Sequence, residues 1–179
     1  MTISKIQSES INLTDSFGFT GHVIQSVTAT SGFTNQTINS ATKVHLTNMT
    51  VTITPKFSNS KMLVFGYIVA SYTYVSGIAI YKNDVTLISG NTGTTQSGGS
   101  VNLWTRYIAV SGTTTSNCIP YPFMYQDTVS NTNSTTYKMF ANSGWDGGTN
   151  NFYFNNRGSS DDMKSQSWMC VQEVVAWVI

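Results

Sequence analysis

The chain has 179 residues, enough for one domain of ordinary size. Only 9% of them are charged, against about 25% in a typical soluble protein, and the net charge is +1. No basic run gives a phosphate-binding surface for nucleic acid, and no run of about 18 apolar residues gives a membrane-spanning helix.

Polarity comes instead from 26 Thr, 23 Ser and 16 Asn. They are interleaved with Val, Ile, Tyr, Phe and Trp, a mixture that favours strands over disorder. A surface so poor in charge is weakly repelled by copies of itself, which makes lateral association electrostatically cheap. Cys118 and Cys170 are too few for a disulfide scaffold; they read as two buried free thiols, with one long-range bridge as the alternative.

Residues 1–21 form a distinct segment. Its apolar residues follow neither a helical nor a strand period, and the tract S-F-G-F-T-G is extended and glycine-punctuated. It reads as a strand packed on its own domain or as an arm that docks into a neighbouring protein. Ile11, Leu13, Phe17 and Phe19 are the candidate anchors, since phenylalanines on a free arm are a liability. The domain proper is then 22–179.

Candidate strands follow at His22–Thr28, Lys43–Thr47 and Met49–Thr54. In the third, Met49, Val51 and Ile53 alternate with Thr50, Thr52 and Thr54, the period of a half-buried strand. Pro55 ends it, and Ser58, Asn59 and Ser60 supply turn chemistry. Lys61–Tyr74 comes next and is apolar on both faces. Met62, Val64 and Ile68 lie on one side, and Leu63, Phe65, Tyr67 and Val69 on the other. One side belongs to a sandwich core, and the other calls for a second layer or another subunit.

Ile78–Lys82 and Val85–Ser89 form a hairpin around Asn83-Asp84. A polar loop at Gly90–Ser100 precedes strands at Val101–Val110, Cys118–Gln126 and Thr135–Ala141. A loop at Asn142–Asn151, a short strand at Phe152–Phe154 and a polar loop at Asn155–Asp162 lead to the last strand, Ser167–Ile179. That strand is largely apolar on both faces, with Gln172 and Glu173 interrupting it, and belongs in a sheet centre or at a subunit contact. A buried carboxylate needs a cation or donors, and Arg106 is one candidate partner. About ten strands without an amphipathic helix indicate an all-β, antiparallel β-sandwich, jelly-roll-like in form.

Catalytic patterns are missing. His22 and His45 stand apart from any cysteine or acid pair, and there is no G-x-S-x-G, C-x-x-C or glycine-rich phosphate loop. Asp146 and the pair Asp161-Asp162 lie in adjacent loops, which leaves a carboxylate pair across a cleft open as the glycosidase alternative, but no spaced calcium-loop motif is present. No catalytic residue, metal or cofactor is expected. The one specialised stretch is 142–162. Trp145 and Tyr153 offer flat faces to a sugar, and Asp146, Asn155, Asn156 and Arg157 offer hydrogen bonds to its hydroxyls. The competing reading is a hairpin with Trp145 inward and its polar residues in water.

Several short motifs recur in a set order: V-I-Q-S-V at 23–27, V-T-I-T-P at 51–55, S-N-S-K-M-L-V at 58–64, G-I-A-I-Y-K-N-D-V-T-L-I at 77–88 and S-T-T-Y-K-M at 134–139. With a last strand carrying Glu173, this order resembles the β-structured modules of tail-fibre and other minor virion proteins of tailed bacteriophages. The likeness covers roughly 22–179, and I-N-L-T-D-S-F-G-F-T-G at 11–21 is similar to segments leading into such modules. It implies a jelly-roll-like domain, commonly homotrimeric, displayed on a virion assembled in the bacterial cytoplasm. It brings no catalytic residues.

Tail fibres usually carry a long shaft, whereas here the module begins after about 21 residues. The resemblance therefore implies a short tail fibre or receptor-binding component. Residues 1–21 would hold other virion proteins, and the loops would reach a host surface glycan. A capsid decoration or cement protein and a free carbohydrate-binding module are the alternatives.

Overall fold

The computed structural model describes residues 21–40, 42–72, 76–88, 118–143, 151–158 and 160–175. Within them the strands are β1 (Val23–Thr30), β2 (Gln36–Ile38), β3 (Val44–Ile53), β4 (Lys61–Tyr72), β5 (Ser76–Lys82) and β6 (Thr86–Leu87). They continue with β7 (Ile119–Thr128), β8 (Thr135–Ser143), β9 (Phe152–Phe154), β10 (Asn156–Arg157), β11 (Ser160–Lys164) and β12 (Trp168–Val174). Among the described residues there is no helix.

Two strands are broken. β1 and β2 together flank the pair β12 and β9, which itself flanks β4. Between β9 and β12 the chain leaves the sheet as the β10–β11 hairpin and returns. Counting each broken strand once leaves eight positions. The ladders join first to eighth, second to seventh, third to sixth and fourth to fifth. That is one long antiparallel ribbon. Rolling it adds the third-to-eighth and fourth-to-seventh ladders. The larger sheet then runs β1-β12-β4-β7, with β2 and β9 in extension, and the smaller runs β3-β8-β5-β6. This is the antiparallel sandwich expected, in jelly-roll form.

The alternation in the sequence decides what faces inward. Met49, Val51 and Ile53 are buried while Thr52 and Thr54 are exposed. On β4 the side carrying Met62, Val64 and Ile68 is the core side, fully buried, and meets Tyr137 and Met139 of β8 in one cluster. Each such aliphatic side chain stabilises the fold by about 1.5–3 kcal/mol. β12 is a central strand, between β1 and β4.

Two details differ from the expectation. The stretches Lys43–Thr47 and Met49–Thr54 are one strand, β3. Between His45 and Thr50 it advances five residues while its partner moves from Phe140 to Lys138. The excess forms a bulge with Asn48 at φ 64°. Gln36 of β2 holds the bulge, donating to the His45 carbonyl and accepting from the Thr47 N–H. Second, β10 and β11 lie in a stretch expected to be loop, and β2 was not expected; all three are short and lack apolar alternation.

Glu173 projects into the sandwich from β12 and is 0% exposed. It accepts from the Lys56 N–H at 2.8 and 3.0 Å, the Phe57 N–H at 3.1 Å, the Ser60 hydroxyl at 2.7 Å and the Gln25 amide at 2.5 Å. Gln25 also donates to the Thr54 carbonyl at 2.7 Å. These neutral donors satisfy the carboxylate; Arg106 lies outside the described residues. Burial pushes the carboxyl's pKa up, but the donors outweigh it and hold the pKa below its ordinary value.

Gly66 sits where β4, β7 and β12 run side by side, at φ +155°. A Cβ there would lie 2.2 Å from the Trp168 carbonyl oxygen and 3.0 Å from Met169 Cα, both backbone atoms. Gly66→Ala is expected to lower stability by about 3 kcal/mol or more, read from the urea midpoint. A loss under about 1 kcal/mol would mean that β4 and β12 separate without penalty.

Glu173 gives a pH signature. Its native pKa is depressed, so its contribution is complete above the ordinary carboxylate value, about 4.3, and is lost as pH falls through the lower native value. Glu173→Gln is expected to cost about 2–4 kcal/mol at pH 7 and to flatten this part of the acid-unfolding curve. An unchanged acid slope would show that other carboxylates carry it.

Candidate interaction surface

The residues proposed for a sugar site fall in and around β9 and β10. Trp145 and Asp146 lie outside the described residues, as do the arm residues Ile11, Leu13, Phe17 and Phe19. Tyr153 is on the outer side of β9, 7% exposed, and its hydroxyl accepts from Asn151 at 2.9 Å. Arg157 is half-buried on β10. Asn156 is buried. Its side-chain oxygen accepts from the Arg157 N–H at 2.7 Å, and its carbonyl accepts from Ser71.

Asn155 is fully buried at φ 56°. Its amide donates to Ser31 Oγ at 2.7 Å and to the Thr34 carbonyl at 2.9 Å, and its oxygen accepts from Ser167 Oγ at 2.6 Å. Ser167 Oγ in turn accepts from the Val69 N–H at 2.8 Å, and the Ser167 N–H donates to Ser31 Oγ. These three buried side chains splice the sheet where β1 gives way to β2 and β9 to β12. Asn155 therefore serves the fold, and each polar atom of its side chain is engaged. Ser31 and Ser167 were not singled out in the sequence, since they are two serines among 23.

The outer face of the larger sheet is different in kind. The registers align it in rows across β1, β12, β4 and β7: Thr30–Trp168–Tyr67–Pro122, Thr28–Cys170–Phe65–Met124 and Ser26–Gln172–Leu63–Gln126. Trp168 takes Phe65 and Tyr67 edge-on, with centroids 5.7 and 5.8 Å apart. Met124 is 72% exposed. No charge lies in these rows; Lys61 stands past their end, donating to Thr128. At the opposite end the β10–β11 hairpin folds over the face, where Ser71 Oγ donates to the Asn156 carbonyl and accepts from the Gly158 N–H. Cys170 is buried beside Ser26 Oγ, and both cysteines are free.

The outer face of the smaller sheet is dressed for water. Thr52 and Thr136 share a hydrogen bond at 3.0 Å, and Lys138 pairs with Asp84 at 2.7 Å. Lys43 lies 3.7 Å above the Tyr81 ring and donates to the Asp84 carbonyl. Burial pushes the His45 imidazole pKa down, and its Nε2 lies 2.9 Å from Thr50 Oγ1. A polar depression of about 150 Å³ sits between the β5–β6 turn and the β7–β8 loop. Its cation, Lys82, is paired with Asp127 at 2.7 Å. Among the described residues no three His, Cys, Asp or Glu side chains gather as a metal site.

Compared with models of protein families and with curated proteins, the sequence finds no match. The surface must therefore be read from its own chemistry, and the feature that stands out is the contrast between a dry face and a wet one.

The splice at Asn155 separates conformation from bonding. Asn155→Gly keeps the positive φ but removes the side-chain bonds, at an expected loss of about 2 kcal/mol. Asn155→Ala adds left-handed strain and is expected to lose about 1 kcal/mol more in urea unfolding. Equal losses would remove the conformational part of the argument.

Proposed function

We propose that this protein is a non-enzymatic structural component of a bacteriophage virion, a short homotrimeric tail-fibre or receptor-binding protein. The observation that carries this reading is a jelly roll with one dry, uncharged face and one wet face. Jelly rolls serve as capsid and lectin domains, and a dry sheet face suits a building block better than a free monomer.

The ordered motifs support the same reading in physical terms, because they coincide with the fold's fixed points. V-I-Q-S-V supplies Gln25 and S-N-S-K-M-L-V supplies Ser60, both donors to Glu173. The turn of G-I-A-I-Y-K-N-D-V-T-L-I, Asn83-Asp84, has φ 51° and 62°. S-T-T-Y-K-M carries Tyr137, buried in the core. In this reading residues 1–21 anchor the module to other virion proteins and distal loops meet the host surface. Asn155 and Asn156 are engaged inside the domain by the hydrogen bonds of their side chains.

The test is immunogold electron microscopy of purified virions with antibody to residues 22–179. Label on the tail is the expected result. Label over the head would place the protein as a capsid decoration, and virions without label would overturn the reading.

A further inference from the structure

We infer that the outer face of the larger sheet is the surface on which copies of this chain meet. The inference deepens the proposed function and rests on its self-assembly, but it concerns a defined set of residues. Its anatomy is that of a protein interface. Trp168, Phe65, Tyr67 and Leu63 form an aromatic and aliphatic centre, free of charge. The hydroxyls and amides of Ser26, Thr28, Thr30, Gln126 and Gln172 form the rim.

Charge points to a second copy as the occupant. A face that packs against its own kind must not repel itself, and an uncharged face has no like-charge term. A charged partner would need opposite charges here, and these rows have none. The chain's described ion pairs, Lys82–Asp127 and Lys138–Asp84, lie elsewhere.

The edge points to face-on packing. Among the described residues β7 pairs with β4 alone, so it borders the sheet. Pro120 and Pro122 lie on it and have no N–H to offer an added strand, the usual way an edge is blunted. Met124 beside them is 72% exposed, a large apolar side chain where a solvated edge would carry a polar one. Copies therefore meet on the face rather than by extending the sheet.

The test is sedimentation equilibrium of the full chain, comparing wild type with the double variant Met124→Glu, Gln126→Glu. Both positions are exposed, so the variant is expected to fold, which circular dichroism checks. Thr52→Glu, on the exposed side of the smaller sheet, is the control. Wild type is expected to be oligomeric. The double variant's dissociation constant is expected to rise about 100-fold or more, and the control's by less than about 3-fold. A wild-type monomer at about 10 µM would overturn the inference, whether the face were covered by the chain itself or by another molecule. An oligomer equally tight in the double variant would overturn the inference alone and leave the virion reading intact. Absence of label on virions with the oligomer result standing would overturn only the virion reading.

Discussion

A charge withdrawn from water organises one end of this molecule. Glu173 stands on β12 in the larger sheet, yet its donors come from β1 and from the connection between β3 and β4, which passes from one sheet to the other. Apolar packing between sheets is non-directional and would tolerate a range of relative placements. An ionised carboxylate does not, because leaving it short of donors costs several kcal/mol. The same row of the larger sheet reads Glu173–Met62–Asp127. Asp127 accepts from the Tyr137 hydroxyl at 2.8 Å and pairs with Lys82, both from the smaller sheet. Two carboxylates either side of a methionine thus fix how the sheets are set against each other.

The other end is held by neutral groups. The hairpin β10–β11 must leave the sheet and return, and backbone ladders are interrupted where it does. Ser31, Asn155 and Ser167 fill the gap with side-chain bonds that replace the missing rungs. Because every member has its partners, the cluster is rigid rather than costly. Between the two polar ends lies a slab of Met, Ile, Leu, Val and Phe side chains with no ionised group at its middle.

Local chemistry was legible in the sequence where a residue's type forces its conformation. Alternation through Met49–Thr54 gave the buried side of β3, and Asn83-Asp84 gave the β5–β6 turn. Glu173 stood out as a buried carboxylate because Val171 and Val175, its neighbours along the same face of the strand, are apolar. What pairing alone decides was not legible. β2, β10 and β11 become strands because a neighbour offers a ladder, not because Gln36–Ile38 or Asn156–Arg157 prefer one. The donors of Glu173 come from residues 25 and 56–60, over a hundred positions away. Asn155 looked like a surface hydrogen-bonder by composition, and only the break in the sheet explains its burial. The two-sided apolarity of β4 was visible; which side would face the core depended on the rolled topology.

That topology also governs how the chain can reach its native state. The strand at the centre of the larger sheet, β12, follows every other described strand in sequence. On a ribosome, β1 and β4 must wait for it with a gap between them, exposing backbone groups and apolar faces meanwhile. Pairings this distant in sequence form slowly, and waiting edges invite mispairing with other chains. The gap between β1 and β4 can therefore be filled only after synthesis has passed the residues of β12. A nascent chain stalled before that point would carry every other described strand and lack the one its larger sheet is built around.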